Sequence, residues 1–544
     1  MVSKFVQQST LAVRPGAVTM RVRVFLLLGF LLLLTGIRWW FGANLELTPD
    51  ESYHYLWAQH PDVSYYSKGP GVALAILAGT SMFGPTEFGV RFLSPLLGLG
   101  TSIFVYLLGR KLFREKIAFW SVVGINLLPL FNLQSVLMTI DSLSIFFWAA
   151  ALYFFWLAIE GSPRFTIFWP VTGLMIGLGF LCKYENAIEL ASIFLFLLVV
   201  PKYRSELRQL SFYILVLCFV PFLAPLIFWN FHHAWLGLDP LTNQAIFHAL
   251  LTIRLSHLGE SLGSQVALYS PLLLLCLLFA LFGSIRRAFQ NSKTCFLLTF
   301  SWPILLIYLV MVSHHISDAS WTAPAVISLG LLATHFWLQA ANRRVLIGGF
   351  CFAVLILSGL QAALAMNANF ARNFGLSFPY EADANYSLLG WKSVAEAVDK
   401  FRTDFESKLG AKVFMIGNEY RTSSLLSFYL KDKRSEGPGH PPVYIPESQD
   451  IQNEFSFWPR YDEFVEADPS VKPDTTFTEE AGVNPFIDRT ALYITDRPEA
   501  VPPQNLQSAF TRWELVAVYE LERKNRALRQ IRIFACYQYQ TLPL

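Results

Sequence analysis

VFLLLGFLLLLTGIRWWFGANLELTPDESYHYLWAQHPDVSYYSKGP, residues 24–70, is the stretch whose reading decides the fold. Its first part is an apolar run that ends in Arg38-Trp39-Trp40. About twenty apolar residues in a helix cross roughly 30 Å of hydrocarbon, and Trp and Arg anchor such a helix at the interface. Two adjacent carboxylates, Asp50 and Glu51, follow directly, and Lys68 stands eighteen residues beyond Asp50. Carboxylates so close to hydrocarbon are costly unless they are used. Thr48-Pro49 is also a good helix start, so capping a short interfacial helix is a second role open to Asp50 and Glu51.

Working outward, the same apolar pattern recurs as far as Met366. Of the 544 residues 54% are hydrophobic and only 15% charged, against roughly a quarter charged in a soluble domain, so lipid is the solvent for most of the chain. Spans are expected near 24–42, 87–109, 117–137, 142–159, 166–182, 187–201, 210–230, 262–283, 294–313, 319–340 and 345–366, about eleven in all. Segment 70–84 is apolar but short and begins at Pro70, which reads as an interfacial helix. The N-terminus is basic and lacks a small-residue cleavage site, so the first span is expected to remain uncleaved.

Basic residues collect in alternate loops: Arg110-Lys111 with Arg114 and Lys116, Arg164, Lys202 with Arg204 and Arg208, Arg286-Arg287 with Lys293, and Arg343-Arg344. By the positive-inside rule these loops and the N-terminus are cytoplasmic, and an odd number of spans puts everything after Met366 outside, in periplasm or its equivalent. Residues 1–366 are thus read as the transmembrane domain and 367–544 as an extracytoplasmic soluble one. In that tail Lys412–Gly417, Ala491–Thr495, Trp513–Leu521 and Ile531–Tyr539 read as strands, and Trp391–Phe405 and Tyr420–Leu430 as helices, a small α/β domain. A net charge of +3 gives no case for nucleic acid, and the six cysteines form no disulfide framework or CxxC site.

The same topology places Asp50-Glu51, Lys68, Asp141, Lys183-Tyr184-Glu185, His232-His233 and His314-His315 with Asp318 at the outer ends of spans. The outer face is therefore the working face. Asp141 opens a span after Met138-Thr139-Ile140, where helix capping and chemistry are both open to it. Lys68, between Tyr65-Tyr66 and Gly69-Pro70, either snorkels or offers a point charge to a lipid phosphate. Lys183-Tyr184-Glu185 reads as a tight outer turn, an interfacial anchor or a substrate contact. Adjacent histidines point different ways and lack HExxH spacing, so no metal is assigned, although a divalent ion is compatible with the pattern.

DESYHYLW followed by YYSKGP, then LGFLCKYENA, WNFHHAW and ASWTAPA, and the tail's GNEYRTSSLLSFYL, together resemble the bacterial family 39 and ArnT-like glycosyltransferases of the GT-C class, relatives of the protein O-mannosyltransferases. The resemblance spans nearly the whole chain and implies a GT-C-like membrane fold. It implies an enzyme that takes a sugar from a polyprenyl-phosphate donor to a hydroxyl of an envelope glycan, lipid or protein, with inversion. Carried over, Asp50 matches the catalytic aspartate, Glu51 its motif partner, Asp141 the second outer-loop acid and Lys68 the lysine that holds the donor phosphate. Lys183 and Tyr184 match a KY pair and His233 with Trp235 an HxW pair, and with Tyr66 these are assigned to the substrate. Where relatives often carry Asp or Glu before the KP-like step, this chain has Ser67.

The chemistry agrees with that implication. A departing lipid phosphate needs a cation at interfacial depth, and an attacking hydroxyl needs a carboxylate to take its proton. No GxGxxG or GxxxxGK[ST] fingerprint appears, as suits a donor that is not a nucleotide sugar. A transporter or flippase of lipid-linked sugars is the alternative, but transporters place ionisable residues at mid-membrane depth between pseudo-symmetric halves, whereas here the polar residues gather at one face. A polytopic receptor leaves Asp50 and Lys68 without a task.

Overall fold

The computed structural model describes residues 15–161, 165–238, 255–312, 319–339, 390–437, 439–448, 451–462, 466–467, 482–497, 501–522 and 527–540. Among these, six helices are long and apolar enough to cross a membrane: Val22–Asn44, Glu87–Leu112, Ile140–Glu160, Leu210–His232, Pro271–Ala288 and Ser292–Val312. Shorter apolar helices cover Gly71–Phe83, Phe168–Phe180 and Ala325–Gln339. Helices occupy every expected span except 345–366, which, like the domain boundary at 366–367, His314-His315 and Asp318, lies outside the described residues.

Two of the expected spans divide where a proline opens the second helix. The 117–137 segment is two helices, Glu115–Asn126 and Pro129–Gln134, because Pro129 lacks an N–H and bars the preceding residue from helical backbone. Two asparagine side chains that flank the break hold a buried cation: Arg38 donates to Asn126 Oδ1 at 2.9 Å and to Asn132 Oδ1 at 2.7 Å. The 262–283 segment likewise divides into Leu255–Tyr269 and Pro271–Ala288, with Ser270 between them at φ +66°. Aromatic side chains lock the bundle core, Phe196 lying between Phe155 at 6.0 Å and Phe296 at 5.4 Å.

The two ends of the bundle differ in charge. At one, Lys111 pairs with Glu160, Lys293 donates to the Leu112 carbonyl and Phe113 stacks on His335, so the basic loops gather there. At the other, the Gly71 N–H donates to the Leu181 carbonyl at 2.9 Å, and a side chain at Gly69 would collide with that carbonyl. Glycine there lets the Lys68 loop lie directly on the turn that carries Lys183.

The C-terminal domain is built on β1 (Phe414–Gly417), β2 (Val443–Tyr444), β5 (Ala491–Thr495), β6 (Phe510–Glu522) and β7 (Ala527–Tyr539) in the order β2-β1-β5-β7-β6; β3 (Glu466–Ala467) and β4 (Gly482–Val483) form a separate ribbon. β1 is parallel to β2 and β5, while β7 is antiparallel to β5 and β6. β1 and β5 are buried throughout, as runs of apolar residues in a covered sheet demand. Helices Trp391–Leu409 and Tyr420–Tyr429 share one core with that sheet. The domain sits on the end of the bundle that carries Asp50: the Trp391 N–H donates to Glu46 Oε2 at 2.6 Å and the Leu47 N–H to Tyr429 Oη at 2.7 Å.

Candidate active site

Asp50 and Glu51 open the helix Pro49–Gln59, and their surroundings are opposite. Glu51 faces inward and is fully buried. Arg91 grips it with two bonds, Nε to Oε1 at 2.7 Å and an Nη2 bond to Oε2 at 2.6 Å. The Met138 N–H donates to Oε1 and the Thr48 N–H to Oε2, both at 2.9 Å. The Thr48 hydroxyl accepts from the Glu51 N–H, completing a capping box. Glu51 thereby ties three segments together and has little capacity left for a ligand.

Asp50, exposed one residue earlier, faces the C-terminal domain, where Arg421 is within its electrostatic reach. The Arg421 Nε donates to Tyr420 Oη at 3.2 Å, and the Tyr420 ring lies 4.9 Å from Tyr53. One turn after Asp50 comes His54, buried, with Nδ1 unpartnered among the described residues. Burial, and then the Lys68 charge, depress His54 to about 4 against the opposing pull of Glu51 and Asp141. It is therefore neutral at pH 7, and its environment registers three of the expected site residues from three separate segments. Lys68 itself is half-buried, with its charge acting on both His54 and Glu185.

Asp141 lies in the first turn of Ile140–Glu160, whose N-cap position is Thr139. The Lys183 Nζ donates to Asp141 Oδ1 at 2.8 Å and the Gln134 amide to Oδ2 at 3.1 Å. Thr139 Oγ1 donates to the side-chain Oε1 of Gln134, which fixes the amide. Lys183 is shared: it also pairs with Glu185 at 2.8 Å and lies over the Trp321 ring at 5.9 Å. Burial pulls the Lys183 pKa down, but the two carboxylates more than offset this and hold it above the ordinary lysine value. Burial raises Glu185, opposed by Lys183.

The expected substrate residues divide. The Tyr184 hydroxyl is 3.3 Å from Ser64 Oγ, which in turn donates to the Lys68 carbonyl, so the KY turn and the lysine loop are one unit. Tyr66 turns toward the C-terminal domain: its hydroxyl donates to the Ile451 carbonyl at 3.0 Å and its N–H to Glu454 Oε2 at 2.7 Å. His233 stacks on Trp229 at 4.1 Å and meets Phe457 at 5.2 Å, with Nδ1 on the Trp229 carbonyl. His232 is bound in the same way to Phe228, and among the described residues no three His, Cys, Asp or Glu side chains gather as a metal site.

Glu454 was not among the expected residues, and neither were Arg91, Gln134, His54 and Arg421. It is almost fully buried under the domain, and burial raises its carboxyl to about 8, moderated by the Tyr66 N–H. Its own N–H donates to Tyr53 Oη at 2.7 Å. Of these only His54 had a readable signal, its spacing of one helical turn from Asp50. The others come from positions distant in sequence, Glu454 being 388 residues from Tyr66.

Residues 67–229 match the family model described as dolichyl-phosphate-mannose-protein mannosyltransferase. Over 322 residues, 57% of this chain, the sequence is 26% identical to RgtD of Rhizobium johnstonii, a lipid A galacturonosyltransferase, and it spans 65% of that relative's length. The fold matches ArnT from Cupriavidus metallidurans bound to undecaprenyl phosphate with a TM-score of 0.56 at 13% identity, over 94% of this chain and 97% of that one. The apo state of the same protein matches with a TM-score of 0.57 at 14% identity, over the same shares. The resemblance carried by the motifs is thus borne out: a GT-C, ArnT-like helical membrane fold with a small C-terminal sheet domain.

Proposed function

We propose that this GT-C, ArnT-like chain is a glycosyltransferase that moves a sugar from a polyprenyl-phosphate donor to a hydroxyl of an envelope lipid, glycan or protein at the outer face of a bacterial inner membrane. The observation that carries the reading is that Lys68 and Asp141 both act on His54, one helical turn after Asp50, with Asp141 paired to Lys183 and Lys183 to Glu185, at one end of the bundle beneath the C-terminal domain. The relative's activity toward lipid A favours a lipid acceptor. A transporter has no use for a carboxylate and a cation confined to one face.

In this reading the acceptor hydroxyl attacks the anomeric carbon while Asp50 takes its proton. The bond to the polyprenyl phosphate breaks on the opposite face, the phosphate leaves with the electron pair, and Lys68 neutralises the charge that develops. Displacement from the opposite face inverts the anomeric centre. Lys183 and Gln134 hold Asp141 in one orientation toward the sugar, and Tyr184 with Ser64 sets the lysine loop. The N-terminus is cytoplasmic and the sheet domain periplasmic.

The test is transfer by the purified full chain in liposomes that contain polyprenyl-phosphate sugars and envelope lipid acceptors. Transfer is expected for the wild type, and Asp50→Asn should lower it by about 10² to 10⁴ while donor binding persists. Near-normal transfer by Asp50→Asn would remove the general base. Transport of intact donor without glycosidic cleavage would replace the enzyme with a flippase.

A further inference from the structure

The helix Pro271–Ala288 turns Leu275, Leu278, Phe279, Phe282 and Gly283 into an apolar cavity of ≈ 840 Å³ whose other wall is Phe336 and Trp337. The spacing of three, four, seven and eight residues is one helical face. Gly283 lets the walls meet, since a Cβ there would lie 2.8 Å from the Phe336 ring. Trp337 Nε1 donates to the Cys276 carbonyl across the contact. Phe279 and Phe282 are 63% and 58% exposed, so the cavity opens to the bilayer.

At its basic end the cavity reaches Arg287, whose guanidinium lies over Phe336 at 5.4 Å. Gln339 lines both this cavity and a second one of ≈ 890 Å³, which contains Arg114, Lys116 and Lys293. None of these four cations is ion-paired among the described residues. Lys293 is held in place by donating to the Leu112 carbonyl, which leaves two of its three N–H groups. Asn291 caps the helix that starts at Ser292, so the second cavity also receives a helix N-terminus.

We propose that the two cavities are one site for an anionic phospholipid, with acyl chains along the Leu275–Phe282 face and the headgroup phosphate among Arg114, Lys116, Arg287 and Lys293. Three cations that line one cavity, with Arg287 lining the next, make the rim of a low-dielectric groove positive, and a phosphate neutralises it. The apolar wall alone accepts any acyl chain; the cations supply the selection for negative headgroups. A free phosphate leaves the apolar wall without a partner. The site is at the opposite end of the bundle from Asp50, separate from the sugar donor.

The experiment is native mass spectrometry of the full chain in detergent, titrated with phosphatidylglycerol or phosphatidylcholine. The wild type should retain one phosphatidylglycerol in preference to phosphatidylcholine. Arg114→Gln/Lys116→Gln should weaken that retention roughly thirtyfold, about fivefold per removed cation, and leave phosphatidylcholine unchanged. Lys202→Gln/Arg204→Gln, in a different basic loop, should leave retention intact. As a second route, Gly283→Leu should narrow the groove and displace both lipids. Equal retention of the two lipids by the wild type, an equal loss in the Lys202/Arg204 variant, or wild-type phosphatidylglycerol retention in both Arg114/Lys116 and Gly283 variants would overturn the proposal.

Discussion

Two buried carboxylate–cation pairs stand at the end of the bundle that meets the C-terminal domain, Glu51–Arg91 and Asp141–Lys183, and they are built differently. Glu51 meets Arg91 through two bonds, and the remaining Arg91 donors go to the carbonyls of Gly42, Leu45 and Glu46. Each polar atom on both sides is satisfied inside the protein. Lys183 instead divides its charge between Asp141 and Glu185, and its face meets an aromatic ring. A planar guanidinium suits the closed, fixed joint, while a point-charge ammonium suits a group shared among partners that a ligand can join. Glu51 is thus a closed joint, while Asp50, one residue earlier, is exposed on the side of the C-terminal domain.

The largest expected effect breaks the closed pair. Arg91→Leu leaves Glu51 buried without its cation and should cost about 3–5 kcal/mol, read as a lower thermal unfolding temperature in detergent; an unchanged melt would mean that the pair is no joint. Lys68→Ala comes next, with kcat lowered and donor binding weakened by a total of roughly 3 kcal/mol, and Lys68→Arg retaining part of the activity. If Lys68 only snorkels, single-turnover transfer by the Ala variant will match the wild type. Asp141→Asn should reverse the pattern of Arg91→Leu: activity falls by about a hundredfold through misplacement, while the melt moves little because Glu185 still holds Lys183. A melt as depressed as that of Arg91→Leu would put both pairs in the scaffold.

The smallest effect concerns docking of the C-terminal domain. Glu454 has its carboxyl raised to about 8 by burial, above its value in the undocked, unfolded chain. The proton therefore favours the docked state, with the full contribution present below the ordinary glutamate value and lost as pH rises through about 8. Limited proteolysis between the domains should accelerate over that window in the wild type and become flatter in Glu454→Gln. Equal pH profiles would assign docking to the aromatic contacts alone.

Hydropathy and charge alternation made the helical membrane architecture legible because burying a backbone in lipid leaves few options, and each helix must be about as long as the bilayer is thick. The C-terminal strands were legible for a similar local reason: ALYIT and FMIG are runs that only a covered sheet accommodates. Asp50, Lys68 and Lys183 were also readable, since charge next to hydrocarbon stands out in a sequence. What the sequence could not assign was the difference between Asp50 and Glu51, identical in pattern. That difference depends on Arg91, forty residues away, and on the Met138 N–H, eighty-seven residues away. Nor did local pattern show that Glu454 meets Tyr66 and Tyr53 or that Arg421 comes near Asp50. Hydrophobic periodicity is a property of neighbours along the chain, whereas the satisfaction of a buried charge depends on groups that only the tertiary fold brings within hydrogen-bonding distance.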